Sequence, residues 1–181
     1  MSKCLVWTKQ SPRVLEELSS NGRYFARRDR IANALGEESP FFLPAYDWLR
    51  KAAAKRLPPP KDADYPIWVS LFRESVMLHD KASIILEIEV DKSCILPIDI
   101  ALWSKILNCA YLPRDEADLN HHKQMLNDYN TDDHRAFTTP FFPMIKTAIL
   151  ESWDRLFESE GDGRVGIIWE VKESWIKKII D

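Results

Sequence analysis

With 45% hydrophobic and 29% charged residues in 181, the chain has the composition of a folded protein, which excludes disordered, collagen-like and mucin-like classes. A net charge of −3 gives no global field to gather polyanions, which argues against a protein that coats nucleic acid. The length fits one domain spanning residues 1–181.

Seven Trp and eleven Pro stand against only five Gly, so the chain is stiff and rich in large rings that belong in a core or along a cleft. The three cysteines, Cys4, Cys94 and Cys109, are far apart and form no CxxC pair. They suggest no zinc site and fit a reducing compartment, so no metal and a cytoplasmic location are expected. The opening MSKCLVWTKQ does not read as a signal peptide, and no apolar run reaches the length of a membrane span.

In chain order, Cys4 to Trp7 reads as a short strand, and Ser11-Pro12 opens a helix that Asn21-Gly22 stops near Ser20. Tyr24-Phe25 begins a second short strand. Arg23, Arg27, Arg28 and Arg30 form a basic cluster, read first as a solvated face. From Leu43 to Arg56, Ala45, Trp48, Leu49 and Ala52 recur at helical spacing behind Pro44 in a first turn, and Pro58 to Pro60 ends that helix as a rigid connector. Residues 66–72 and 83–90 read as strands, the second alternating Leu86, Ile88 and Val90 with Glu87 and Glu89.

Ile95 to Pro97 is extended, Asp99 caps a helix to Asn108, and 114–129 reads as an exposed helix. Residues 143–157 carry Ile145, Ile149, Trp153 and Phe157 on one helical face. Trp48, Trp103 and Trp153 are expected to be buried. Gly161-Asp162-Gly163 reads as a turn, 164–171 as a strand, and Ser174 to Ile180 as a short helix or strand. Irregularly interleaved helices and strands without Gly-rich turns predict an α+β fold with a mixed or antiparallel sheet flanked by helices.

No phosphate-binding loop, GxGxxG, HExxH or GxSxG motif is present. His121 and His122 point to different sides of a helix and read as surface residues. Glu87 and Glu89 share one strand face, an arrangement open to acid–base chemistry but more common on a solvated sheet. Glu170 sits in the apolar run Ile167 to Val171, so it requires an Arg or Lys partner or else faces a cleft. Tyr46, Trp48, Arg56, Tyr65 and Trp68 gather around proline-rich turns and either pack the helix or line a pocket.

LVWTKQ, FLPAYDWL, YPIW, LEIEV, IDIALWSKILNCAYLP, ESWDRLF and IIWEV span nearly the whole chain. In them the chain resembles a bacterial family known only as a domain of unknown function. In its opening strand, its Gly-Arg-Tyr-Phe turn, its LEIEV strand and its late strand ending in Glu, the chain also resembles the ADP-ribosyltransferase superfamily. That resemblance implies a split sheet that clasps NAD as substrate, and a protein or nucleic-acid target. It implies Glu170 as the catalytic carboxylate on the ribose, with Trp7 or Thr8 and an aromatic from Tyr24, Phe25 or Tyr46 holding the cofactor. The alternative is a non-catalytic domain that binds a ligand or a protein.

Overall fold

The computed structural model describes residues 2–76, 82–158 and 163–180. The β-branched and aromatic opening forms β1 (Lys3–Gln10), which buries Val6 and Thr8 on one face. α1 (Arg13–Asn21) turns Val14 and Leu18 inward and ends at Gly22, whose φ of 69° is left-handed and favours glycine. β2 (Arg23–Tyr24) and α2 (Arg28–Leu35) follow.

α3 (Ser39–Ala54) begins earlier than its sequence pattern suggests. Pro40 occupies its first turn and Pro44 lies inside it, at the loss of one ladder hydrogen bond. β3 (Ile67–Ser70), β4 (Ile84–Asp91) and β5 (Leu96–Ile98) come next. α4 (Ile100–Leu107) is capped by Asp99, whose carboxylate accepts from the Ala101 and Leu102 amides. α5 (Glu116–Asp128) and α6 (Asp133–Thr138) are capped in the same way by Asp115 and Asp132. The helix expected over 143–157 is α7 (Pro143–Ser152) followed by a 3-10 stretch from Trp153 to Phe157. β6 (Val165–Ile168), β7 (Val171–Lys172) and β8 (Ile176–Ile180) close the chain.

The fold is α+β. Six strands form one sheet in the order β5-β6-β3-β1-β4-β8, antiparallel at the β6-β3, β3-β1, β1-β4 and β4-β8 pairings. β2 and β7 pair antiparallel in a separate small sheet. The run 164–171 therefore does not stay in one sheet as expected: it leaves the large sheet after Ile168, and Val171-Lys172 pairs instead with Tyr24 and Arg23. The turn expected at 161–163 falls largely outside the described residues, and Gly163 alone is described.

The chain divides into two compact units, one formed by Met1–Pro97 with Asp162–Asp181 and the other by Ile98–Gly161. The triple proline lies inside the first unit. In that unit Val6, Ile67, Val69, Leu86, Ile88, Val90 and Ile168 pack against Val14 and Leu18 of α1 and against Tyr24 and Tyr65. β5 runs so close to β6 that a Cβ on Gly166 would meet Ile95 Cγ2 at 2.7 Å.

The second unit buries Ile106, Leu112, Phe137, Ile145, Ile149, Trp153 and Leu156. Trp153 packs its ring 5.0 Å from that of Phe137 and donates its indole N–H to the Ala110 carbonyl at 2.9 Å. Trp103 is buried as expected, whereas Trp48 is only half-buried, because α3 presents it at the edge of the face that Ala45, Leu49 and Ala52 bury.

Candidate functional site

Glu170 stands where the chain passes from the large sheet to the small one, and only 8% of it is exposed. A carboxylate in such a place is stable only with partners. One oxygen accepts from Arg23 Nη1 at 3.4 Å and the other lies 3.2 Å from Lys172 Nζ. The two cations come from β2 and β7, so Glu170 ties together both strands of the small sheet. Of the two outcomes open to it, the structure shows the ion pair.

Tyr24 pairs in register with Val171 and so lies beside the Glu170 backbone. Its ring is buried in the core of the first unit with the Arg30 guanidinium 5.6 Å from its centroid, and burial pushes its hydroxyl pKa up. Phe25, the next residue, is half-buried. Tyr46 of α3 packs half-buried against the same core, and burial pushes its hydroxyl pKa up too.

Trp7 and Thr8 project to opposite faces of β1. Trp7 donates its indole N–H to Glu87 at 3.0 Å, while the buried Thr8 hydroxyl donates to the Trp68 carbonyl at 2.8 Å. Trp7 is level with Ser70, and Ser70 with Val165, whereas Glu170 lies beyond the Ile168 end of β6. Three strand residues, roughly 10 Å, separate those levels before the chain leaves the sheet, and two strand spacings add roughly 9 Å across it. Of the six predicted residues, Tyr24 stands beside Glu170 through the pairing of β2 with β7, and Trp7 and Thr8 lie on β1 of the large sheet.

Three of the four arginines of the basic cluster are paired with carboxylates. Arg23 pairs with Glu170, Arg28 with Asp47 at 3.3 Å, and Arg30 with Glu17. Glu89 is flanked by Lys177 and Lys3, which hold its carboxyl below the usual range, so the Glu87–Glu89 face is a cross-strand charge lattice. Tyr65 is buried and donates its hydroxyl to Asp47.

Sequence reasoning missed features of the second unit. His122 is not a surface residue but 3% exposed, because α5 turns it against Tyr111, whose ring stacks on it at 3.9 Å. Its Nε2 lies 2.6 Å from an Asp133 oxygen, and the other Asp133 oxygen accepts from the Tyr111 amide at 2.9 Å. This arrangement ties α5 to the start of α6.

Where α5 gives way to α6, Leu126, Asn127, Asn130, Thr131, Asp132 and Arg135 line a hollow of about 250 Å³. The segment after α6 leaves Phe141 75% and Met144 72% exposed, and Tyr129 at the end of α5 is 55% exposed. The signal for this surface was the run Pro140-Phe141-Phe142-Pro143-Met144, in which two prolines fix apolar side chains outside a helical stripe. Among the described residues no group of three His, Cys, Asp or Glu is placed to hold a metal ion, and no helix is long and apolar enough to cross a membrane.

These features define an α+β protein with a six-stranded sheet and a helical second unit. The chain belongs to the family described as Domain of unknown function (DUF3841), whose model matches residues 5–177. No curated protein and no solved structure matches it.

Proposed function

We propose that the chain is a non-catalytic binding domain whose second unit docks a protein partner. The observation that carries this reading is the exposure of three large apolar side chains of the second unit, Tyr129, Phe141 and Met144. Exposed apolar side chains gathered on an ordered scaffold mark interaction surfaces, and aromatic and Met side chains are enriched where proteins meet. The scaffold is ordered: Ile145 and Ile149 anchor α7 in the core, and Tyr129 meets Phe142 edge-on with centroids 6.4 Å apart.

The transferase reading asks more of Glu170 than its surroundings support. Cleavage of the nicotinamide bond builds positive charge on the ribose, and a carboxylate that stabilises it must face that charge. The Glu170 carboxylate faces Arg23 and Lys172 instead.

The test places a photo-crosslinking residue at Phe141, at Met144 and, as control, at the exposed Lys51, in otherwise full-length protein. A discrete protein adduct is expected from the first two positions and not from the control. Asp at Met144 should abolish the Phe141 adduct while leaving the circular dichroism spectrum unchanged. Adducts independent of position, or nicotinamide release from NAD that Glu170→Gln abolishes, would overturn the proposal.

A further inference from the structure

We propose that β8 takes an extended segment of another protein as a seventh strand of the large sheet, a segment in which Asp or Glu alternates with β-branched apolar residues. β8 stands last in the strand order, paired with β4 on one side, and among the described residues no strand pairs with it on the other. An open edge carries a row of backbone N–H and C=O groups, and an added strand satisfies them. This contact lies in the first unit and does not rest on the exposed side chains of the second.

The side chains along that edge decide what can be added. Residues directly opposite each other in an antiparallel pair share a face of the sheet. Trp7 stands opposite Glu87 and Glu87 opposite Lys178, so the three form a row across β1, β4 and β8 on the face away from the buried Val6, Leu86 and Ile88. Within the row Glu87 accepts from the Trp7 indole at 3.0 Å, and among the described residues Lys178 makes no ion pair. A register shift between Glu87 and Ile88 leaves Lys177 as an extra residue in β8, and its Nζ lies 3.2 Å from Glu89 on the same face. Two consecutive lysines therefore stand on one face of the edge strand, one of them answered by a carboxylate and the other not.

The next residue belongs to the other face. Ile179 stands opposite the buried Leu86 yet is 42% exposed, at an edge that no further described strand covers. A strand added here meets Ile179 on the core side and Lys178 on the outer side, so apolar and acidic residues must alternate along it. Lysines on an edge repel basic strands and discourage self-association. Paired with its own copy about Lys178, β8 would set lysine opposite lysine. The same charge attracts a carboxylate and extends the lattice that Glu89 makes with Lys3 and Lys177. The guard against chance pairing is thus also the feature that selects a partner.

The experiment uses the full chain and three blocked eight-residue peptides: alternating Val and Glu, alternating Val and Lys, and four Val followed by four Glu. Binding is read by fluorescence anisotropy of the labelled peptide, and its place by amide hydrogen exchange over residues 176–180. The alternating Val-Glu peptide should bind about fivefold or more tighter than either of the others, the upper weight of one cross-strand charge pair. It should also slow exchange in β8. Lys178→Glu should turn the preference toward the Val-Lys peptide, Lys178→Gln should weaken it, and Phe141→Asp should leave binding unchanged.

Equal binding of the alternating and block Glu peptides would show attraction of charge without a strand and overturn the proposal. So would protection confined to residues outside β8, a preference that Lys178→Glu leaves unmoved, or no binding at all. A dimer by light scattering whose β8 amides are protected without peptide would give the edge to a second copy and overturn it as well. Loss of peptide binding in Phe141→Asp would move the contact to the second unit, with the same result.

Discussion

The small sheet around Glu170 and the surface around Arg135 each place Arg, aromatic and carboxylate groups side by side, yet they differ in what those groups are doing. Around Glu170 the charges are spent: the carboxylate answers Arg23 and Lys172, and the Tyr24 ring is covered. Around Arg135 the cation makes no ion pair among the described residues, the amides of Asn127 and Asn130 bond nothing there, and Phe141 and Met144 face solvent. The first arrangement is what a fold requires of a buried carboxylate. The second is not required by the fold, which is why it is the better place to look for a partner.

The largest effect expected of any substitution that probes this contrast is within the second unit itself. Trp153→Ala removes a fully buried ring and its hydrogen bond to Ala110, and should cost about 3–5 kcal/mol, read as a fall in urea midpoint at unchanged slope. A much smaller loss would mean that the scaffold under the exposed surface is loosely packed, and the contrast would weaken.

In the first unit, burial first and then the Asp47 hydrogen bond push the Tyr65 hydroxyl pKa up to about 12, from an ordinary 10.0. The folded protein thus keeps a proton that the unfolded chain loses above about pH 10. The contribution is whole below pH 10 and is lost as pH rises toward 12, so unfolding free energy should fall over that window, and Tyr65→Phe should flatten the fall. A stability profile over pH 10–12 that does not change with Tyr65→Phe would show that this hydroxyl is not held as described.

Glu170→Gln should cost about 1 kcal/mol, a figure discounted because the Arg23 side chain is half exposed and can turn to water. The loss should shrink in high salt. A cost of several kcal/mol would mean that the small sheet depends on this charge far more than the geometry implies.

Phe141→Asp and Met144→Asp should change stability least, by no more than about 0.5 kcal/mol, since both side chains lie mostly in solvent. Thermal melts of the two variants check this. A large loss would show that the segment packs in solution and has no surface to offer.

How much of this could be read in advance follows the range of the interactions involved. β1, β4 and α4 carried their own signals, in a β-branched run, a period-two alternation and an Asp cap, and all three form where expected. α2 was hidden because none of its residues is fully buried and only Ile31 packs part-way against the core, so it leaves no apolar stripe. Glu170 was singled out for the right physical reason, an acid in an apolar run, but its partners stand 147 positions away in Arg23 and two away in Lys172, and spacing alone cannot choose between a cation and a cleft.

By itself the sequence determined the α+β class, the Asp99 cap, the stop at Gly22 and the inward faces of β4 and α7, because each depends on neighbours within a turn or a strand. Only the tertiary structure decided that the late strand divides between two sheets, that Glu170 is paired with Arg23 and Lys172, that His122 is buried on Tyr111, and that Arg135 stands beside the Phe142 ring. Those outcomes depend on which distant segments pair and in what register, and a register carries no local mark in the chain.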